Sequence, residues 1–309
     1  MSSPSLVVLA AGLSTRFGSL KQLAAVGPHG EAFMDYNVFD AARAGFRRVV
    51  YVVRPEIEAD IRAHVEDVVG DALATDFVHQ TLDQVPERYR VPPDRRKPWG
   101  TAQAVLCAAP VLDGPFAVCN ADDLYGPDAF RKLHDHLAAE SVPTEAALVG
   151  YTLSETLSGS GGVARGVCVP GSEGLLEHIT EVIDIRRVDG WISGTDTEGE
   201  VVELRGNEIV SMNLWGFTPP VVELLGRQFD RFLRHWGANT DEEFLLSTAL
   251  NGQVELGATR VAILHSDDPW FGVTHADDQE GAQEALARRI EAGHYPENLS
   301  EALPAGTED

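Results

Sequence analysis

Lysine is almost missing from this chain: Lys21, Lys97 and Lys132 stand alone in 309 residues, and Lys and Arg together number 24 against 48 Asp and Glu. The resulting formal charge of −24 repels polyanions, which excludes nucleic acid and anionic membrane surfaces as partners. Cysteine is scarce as well. Cys107, Cys119 and Cys168 form no C-x-x-C pair and sit in apolar surroundings, which reads as reduced thiols rather than a disulfide framework or zinc site. Apolar runs long enough for a membrane-spanning helix are lacking, and the N-terminus has neither a basic n-region nor a long apolar core for a signal. Together these absences predict a soluble, cytoplasmic protein. No Ser/His/Asp or Cys/His spacing stands out among the ten histidines, so the expected chemistry uses no protein nucleophile. A 44% apolar content is still ample for a core.

Against that acidic background, one small cationic loop draws notice. Leu6-Val-Val-Leu9 is an apolar run too short for a helix and reads as a buried strand. It leads directly into Ala10, Ala11, Gly12, Ser14, Thr15 and Arg16, with Lys21 shortly after. Gly12 lets backbone approach a ligand without a side chain between them. Ser14 and Thr15 add hydroxyls beside free backbone N–H groups, the makings of an anion nest. A strand feeding such a loop suits a polyphosphate. It is not a Walker A loop, because Gly12 and Gly18 are separated by five residues rather than four. Nor is it a dinucleotide fingerprint, since position 14 is Ser.

Downstream the chain alternates. Apolar positions at helical spacing stop at Gly45, and Arg48–Val53 is a strand. Pro55 opens a helix, Ala74–His79 is a strand, Gly100–Ala109 a helix and Pro115–Cys119 a strand. This pattern predicts an α/β fold with a doubly wound, mostly parallel sheet. The stretch from Thr81 to Pro98 is long for a loop. It carries Arg88, Arg90, Arg95, Arg96 and Lys97, either a solvated surface or an arm that screens phosphate charge. Residues 144–217 change character, with short strand-like runs at Ala146–Thr152, Val163–Val169, His178–Ile185, Val201–Leu204 and Glu208–Phe217. They predict a β-rich excursion at the sheet edge. Helices follow at Pro219–Trp236 and Thr240–Leu250, then a strand at Arg260–Leu264 and a helix at Ala276–Ala292. The expected organisation is one domain over residues 1–295, with a first half to about 143, a second over 144–265 and a closing segment over 266–295. Residues 296–309, acidic and Pro-bearing, are expected to be disordered.

Two further constellations carry chemistry. The strand Phe116–Cys119 runs into Asn120-Ala-Asp-Asp123. Ligands in open α/β sheets sit beyond the carboxyl ends of strands, and Mg²⁺ takes one or two carboxylates plus phosphate oxygens. Asp122 is the candidate ligand, Asp123 the second choice, with capping of the helix near Pro127 as the competing reading. Trp99-Gly-Thr-Ala-Gln103 opens a helix whose Gly100 and Thr101 could meet a base edge and whose Gln103 offers both donor and acceptor.

The loop Leu9-Ala-Ala-Gly-Leu-Ser-Thr-Arg-Phe-Gly-Ser-Leu-Lys21 resembles the signature of the sugar-phosphate nucleotidyltransferases, in a bacterial and archaeal branch without hexapeptide repeats. The likeness extends over roughly residues 5 to 290, through Gly100-Thr-Ala-Gln103, Asn120–Asp123, Ile179–Ile183, Val210–Phe217 and Trp270-Phe-Gly-Val-Thr274. It implies a Rossmann-like, GT-A type sheet and Mg²⁺-dependent transfer from a nucleoside triphosphate to a sugar 1-phosphate, releasing pyrophosphate and an NDP-sugar. Carried over residue by residue, it makes Asp122 the metal ligand, Arg16 and Lys21 the triphosphate groups, and Gly100, Thr101 and Gln103 the base readers. Glu181 and Asn213 then become the acceptor-binding pair. The family's second metal-ligating Asp, in W-x-D, has no counterpart after Trp270, which leaves Asp267 or Asp268 as substitutes. Other readings differ in acceptor or class: a non-sugar phosphorylated alcohol such as phosphocholine, a GT-A glycosyltransferase, or a non-catalytic nucleotide-sugar sensor.

Overall fold

In the computed structural model, residues 3–12, 20–139, 144–159, 161–272 and 278–303 are described. Strand β1 (Ser5–Leu9) is buried along its length, and its side chains divide between two cores. Leu6 and Val8 pack with α1 (Phe33–Ala44), α2 (Glu58–Val68) and α4 (Pro127–Leu137). Val7 faces the other way, toward α3 (Thr101–Ala108), α5 (Pro219–Trp236) and α6 (Leu246–Glu255). A strand covered on both faces has to be apolar throughout rather than alternating. The same division holds in β2 (Arg48–Val53), where Val49 and Tyr51 join the first core and Val50 and Val52 the second.

On one side, β1 pairs in parallel with β2, and β2 with β3 (Ala74–His79); on the other side, β1 pairs in parallel with β4 (Phe116–Asn120). A two-residue strand β5 (Asp123–Leu124) and then β6 (Ala146–Thr152) follow in the chain. The β-rich excursion is antiparallel: β7 (Val163–Pro170), β8 (Leu176–Val188), β9 (Trp191–Thr195) and β10 (Val201–Leu204) pair in sequence order. Strand β9 escaped the sequence reading because Trp191-Ile-Ser-Gly-Thr195 has one buried apolar side chain and a Gly. The doubly wound α/β layout is therefore as expected, with the parallel pairing confined to β1–β4 and to β12 (Val261–His265) against β6.

The two parts meet at β11 (Ile209–Phe217). One edge of β11 pairs with β6 throughout, interrupted by an irregularity between Ser211 and Trp215. The other edge is shared: Trp215–Phe217 pair with β4, whereas Ile209–Ser211 pair with β7. Strands β4 and β7 thus fork away from one strand, and Asn213 sits in the crotch with a left-handed φ of 61°. Asn tolerates that conformation better than most residues.

Two expectations need correction. Residues 240–245 are extended, with α6 beginning at Leu246; Phe244 N–H donates to Trp99 O and Ala102 N–H to Phe244 O, so this segment is tied to the start of α3 instead of continuing as helix. The C-terminal stretch is ordered through 303, because Tyr295 and Leu299 are buried against α1 and the short helix α8 (Leu299–Ala302) caps itself through Asn298. Residues 304–309 lie outside the described residues. Helix α7 (Asp278–Glu291) and the strand β13 (Phe271–Gly272), paired with β5, complete the fold.

Candidate active site

The fork between β4 and β7 holds a cavity of about 210 Å³. From the β4 side come Asn120, Asp122 and Asp123; from β7, Ala164, Arg165 and Gly166; from the β11 crotch, Ser211, Met212 and Asn213. Lys21, Thr101, Glu181 and Ser247 line it as well, with Trp270 at one wall. Five residues singled out in the sequence, Lys21, Thr101, Asp122, Glu181 and Asn213, therefore share one hollow although nearly two hundred positions separate the first from the last.

Lys21 starts a single 3-10 turn (Lys21–Leu23). Its Nζ donates to Asp122 Oδ2 at 2.6 Å. Both groups keep partial exposure, 20% and 32% of their side chains, so the pair sits at the cavity surface. Asp123 behaves differently. Its Oδ2 accepts from Asn120 Nδ2 at 2.8 Å and lies 3.2 Å from the Tyr125 hydroxyl. Burial, and then the neighbouring Asp122 charge, push its carboxyl above the usual carboxylate range. Asp122 is thus the outward partner of the two and Asp123 the inward one. Tyr125 locks the turn by donating to Met212 O at 2.7 Å, tying the β4 end to β11.

At the far end, Glu181 accepts from the Ser247 hydroxyl at 2.8 Å, and burial raises its carboxyl pKa. Arg165, missed in the sequence, lies between the two ends: Asp123 and Glu181 both influence its charge, and burial lowers its pKa to about 10. An Arg next to Gly166 on an ordinary strand carries no sequence signal; only the fork brings it inward. Ser247 was missed for the same reason, since it belongs to a helix 66 positions from Glu181.

Several candidates fall elsewhere. Gln103 is buried and points away from the cavity, accepting from Gln80 Nε2 at 2.7 Å and donating to Cys107 Sγ. Gly100 has a φ of +109°, and a Cβ there would strike Phe244 backbone at 2.5 Å, so its glycine is required by packing. Its carbonyl accepts from Gln80 Nε2 at 3.0 Å. Thr101 does line the cavity, but its hydroxyl accepts from Leu246 N–H. Ala10 and Ala11 are buried at the end of β1, and Gly12 O accepts from Gln22 Nε2 at 2.9 Å. Ser14, Thr15 and Arg16 lie outside the described residues.

Asp267 and Asp268 do not reach the cavity. Asp268 Oδ2 accepts from Asp128 N–H at 2.8 Å at the start of α4, and Arg289 donates to its Oδ1 at 2.8 Å. Asp267 is exposed and pairs with Lys132 at 3.1 Å. The basic run before α3 is likewise structural: Arg95 is 1% exposed, donates to Asn239 O, Pro98 O and Glu242 O, and stacks 3.7 Å from the Trp99 ring centroid. Arg88 is bonded to Asp230 and Lys97 to Glu243, so these three charges hold the long loop to α5 and the 239–243 segment.

Residues 6–152 match the model of the MobA-like NTP transferase domain. The matched stretch runs from β1 to β6 and contains Lys21 and Asp122; β7, β8 and β11, with Arg165, Glu181 and Asn213, follow it. Among solved structures, the inositol-1-phosphate CTP transferase from T. maritima is 17% identical, with a TM-score of 0.62 covering 94% of this chain and 98% of its own. HddC from Yersinia pseudotuberculosis is 14% identical, with a TM-score of 0.56 covering 92% and 99%. At these identities the likeness is one of fold, and it extends past residues 6–152 over the antiparallel half. No curated protein matches the chain.

Proposed function

We propose that this chain transfers a nucleotidyl group from a nucleoside triphosphate to a phosphorylated acceptor, with a sugar 1-phosphate as the first choice, releasing pyrophosphate. One observation carries the reading: the Lys21–Asp122 pair, 2.6 Å apart, opens into the same cavity as Glu181 and Asn213. A cation and a carboxylate from the transferase domain thereby face hydrogen-bonding groups from the antiparallel half.

The donor set fits magnesium in one particular manner. No group of three or more His, Cys, Asp or Glu is positioned for a metal among the described residues, which argues against an all-protein cage. A single partly exposed carboxylate, Asp122, beside the buried Asp123, is the kind of site that completes its coordination with phosphate oxygens and water. Bound there, the ion would supply charge neutralisation between phosphate groups. The finer assignment to the NDP-sugar pyrophosphorylase type belongs to this proposal, as do Arg16 on the triphosphate and Gly12, Ser14 and Thr15 along its backbone. Gly100, Thr101 and Gln103 are proposed to shape the base side, Gln103 by holding Gln80 rather than by direct contact.

The step follows from charges. A phosphate monoester has its second pKa near 6, so at neutral pH an acceptor oxygen is already ionised. It attacks the α-phosphorus; a new P–O bond forms while the bond to the β-phosphate oxygen breaks, and that oxygen leaves with the electron pair as pyrophosphate. No protein base is required. Lys21 neutralises charge on the reacting phosphoryl group, and the cavity walls align the two anions. Glu181 and Asn213 accept from and donate to acceptor hydroxyls.

The test is a matrix of ATP, CTP, GTP, UTP and dTTP against glucose 1-phosphate, inositol 1-phosphate and phosphocholine, with Mg²⁺, reading pyrophosphate. Acceptor-dependent release is expected. Binding with no release would mark a sensor, and turnover of a nucleotide-sugar without pyrophosphate a glycosyltransferase; either sinks the proposal. Lys21→Ala should lower kcat about 100-fold while leaving nucleotide affinity nearly unchanged.

A further inference from the structure

We propose that Arg165 is the clamp for the acceptor's phosphate group, so that the cavity admits phosphomonoesters and rejects the matching free alcohols. The inference rests on the nucleotidyl-transfer reading and names what selects its second substrate. Arg165 is 7% exposed and lines the cavity together with Glu181, Asn213 and Ser247. Its Nε donates to Thr156 Oγ1 at 3.2 Å, Nη1 to Ala164 O at 2.8 Å, and Nη2 to Thr156 O. A guanidinium has five N–H donors, so two remain without a partner among the described residues. The Trp270 ring lies 5.0 Å from the guanidinium carbon and holds its plane.

The decisive feature is charge. Among the described residues no carboxylate comes within ion-pair distance of Arg165, although Asp123 and Glu181 both act on it electrostatically. A buried charge without a direct counter-ion is destabilising. A merely structural tie between the 153–156 turn and β7 would be served equally by a neutral amide. A guanidinium makes sense if an anion completes it, and its fork matches phosphate geometry better than an ammonium does. Lys21 is in a different position, since Asp122 already neutralises it at 2.6 Å. The two cations thus divide the work: Lys21 on the transferase-domain side for the triphosphate, Arg165 on the β7 side for the acceptor.

The experiment uses the full chain and calorimetric titration with inositol 1-phosphate, glucose 1-phosphate, free inositol, glucose and Mg²⁺–CTP. Wild type should bind at least one phosphate ester and neither alcohol. Arg165→Gln should weaken ester binding about 10- to 100-fold, as expected for loss of charge-assisted bonds, with CTP affinity within about threefold of wild type. Unchanged ester affinity, or an equal loss toward CTP, overturns the clamp. If Arg165→Gln does not fold, Arg165→Lys carries the test: a selective loss toward the ester supports the proposal, and no loss or a uniform loss overturns it. Pyrophosphate release is scored separately. Ester binding through Arg165 without release would end the transfer reading and spare the clamp; release by wild type with an unchanged acceptor KM in Arg165→Gln would do the reverse.

Discussion

Two pairs of adjacent aspartates follow strands that run in the same direction in one sheet: Asp122-Asp123 after β4, and Asp267-Asp268 after β12. Their immediate successors even touch, since β13 pairs with β5, placing Gly272 opposite Asp123. Yet the pairs have opposite fates. Asp268 is consumed by Arg289 and by the first turn of α4, where a carboxylate meets free backbone N–H groups and the positive end of the helix dipole. Gly126, with φ +85°, allows that close approach, because a Cβ there would lie 2.5 Å from Asp268. Among the described residues Asp122 pairs with Lys21, and it opens on the cavity. What separates a structural carboxylate from a chemical one is which donors the rest of the fold brings to it, not its place after a strand.

The contrast can be broken at several points. Asp122→Asn should have the largest effect, lowering pyrophosphate release about 100- to 1,000-fold with little change in Tm, because the side chain is one-third exposed. An equal fall in Tm would put Asp122 in the same structural class as Asp268. Asp268→Ala should do the opposite, destabilising the fold by about 2–4 kcal/mol in denaturant unfolding through the stranded Arg289, while turnover per folded molecule stays near wild type. Asp40 sharpens the structural side. Its carboxyl accepts from the Tyr295 hydroxyl at 2.7 Å, and burial pushes its pKa up to about 8. A raised carboxyl pKa means that the folded state holds a proton the unfolded chain has released. Asp40 therefore gives stability that is present below about pH 4 and is lost as pH rises toward 8. Asp40→Asn should flatten that decline in unfolding curves taken from pH 5 to 9; an unaltered slope would remove the buried proton. Asp267→Ala should leave both Tm and turnover unchanged, since Asp267 and its partner Lys132 form an exposed pair.

Much of this was legible beforehand. Strands β3, β6 and β10 and helix α5 have the expected bounds; in β6 this is because a strand buried on both faces leaves a continuous apolar run, whereas β3 and β10 are only partly buried. Lys21 and Asp122 stood out by their place after apolar strands, Glu181 and Asn213 through the family resemblance. Segment 240–245 misled because nothing in its local sequence shows that the Phe244 backbone is bonded to Trp99 and Ala102. The C-terminal stretch misled because its polar composition hid two anchors, Tyr295 and Leu299.

The sequence by itself determined the alternation of elements, the acidic surface and the small cationic loop after β1, because backbone periodicity and side-chain charge are local properties. Only the tertiary structure decided that Arg165 faces inward with no counter-ion among the described residues, that Arg95 is bound up in the long loop, and that one aspartate pair lines a cavity while the other caps a helix. Those outcomes depend on how β11 divides its edge between β4 and β7, and no stretch of chain shorter than the fork contains that information.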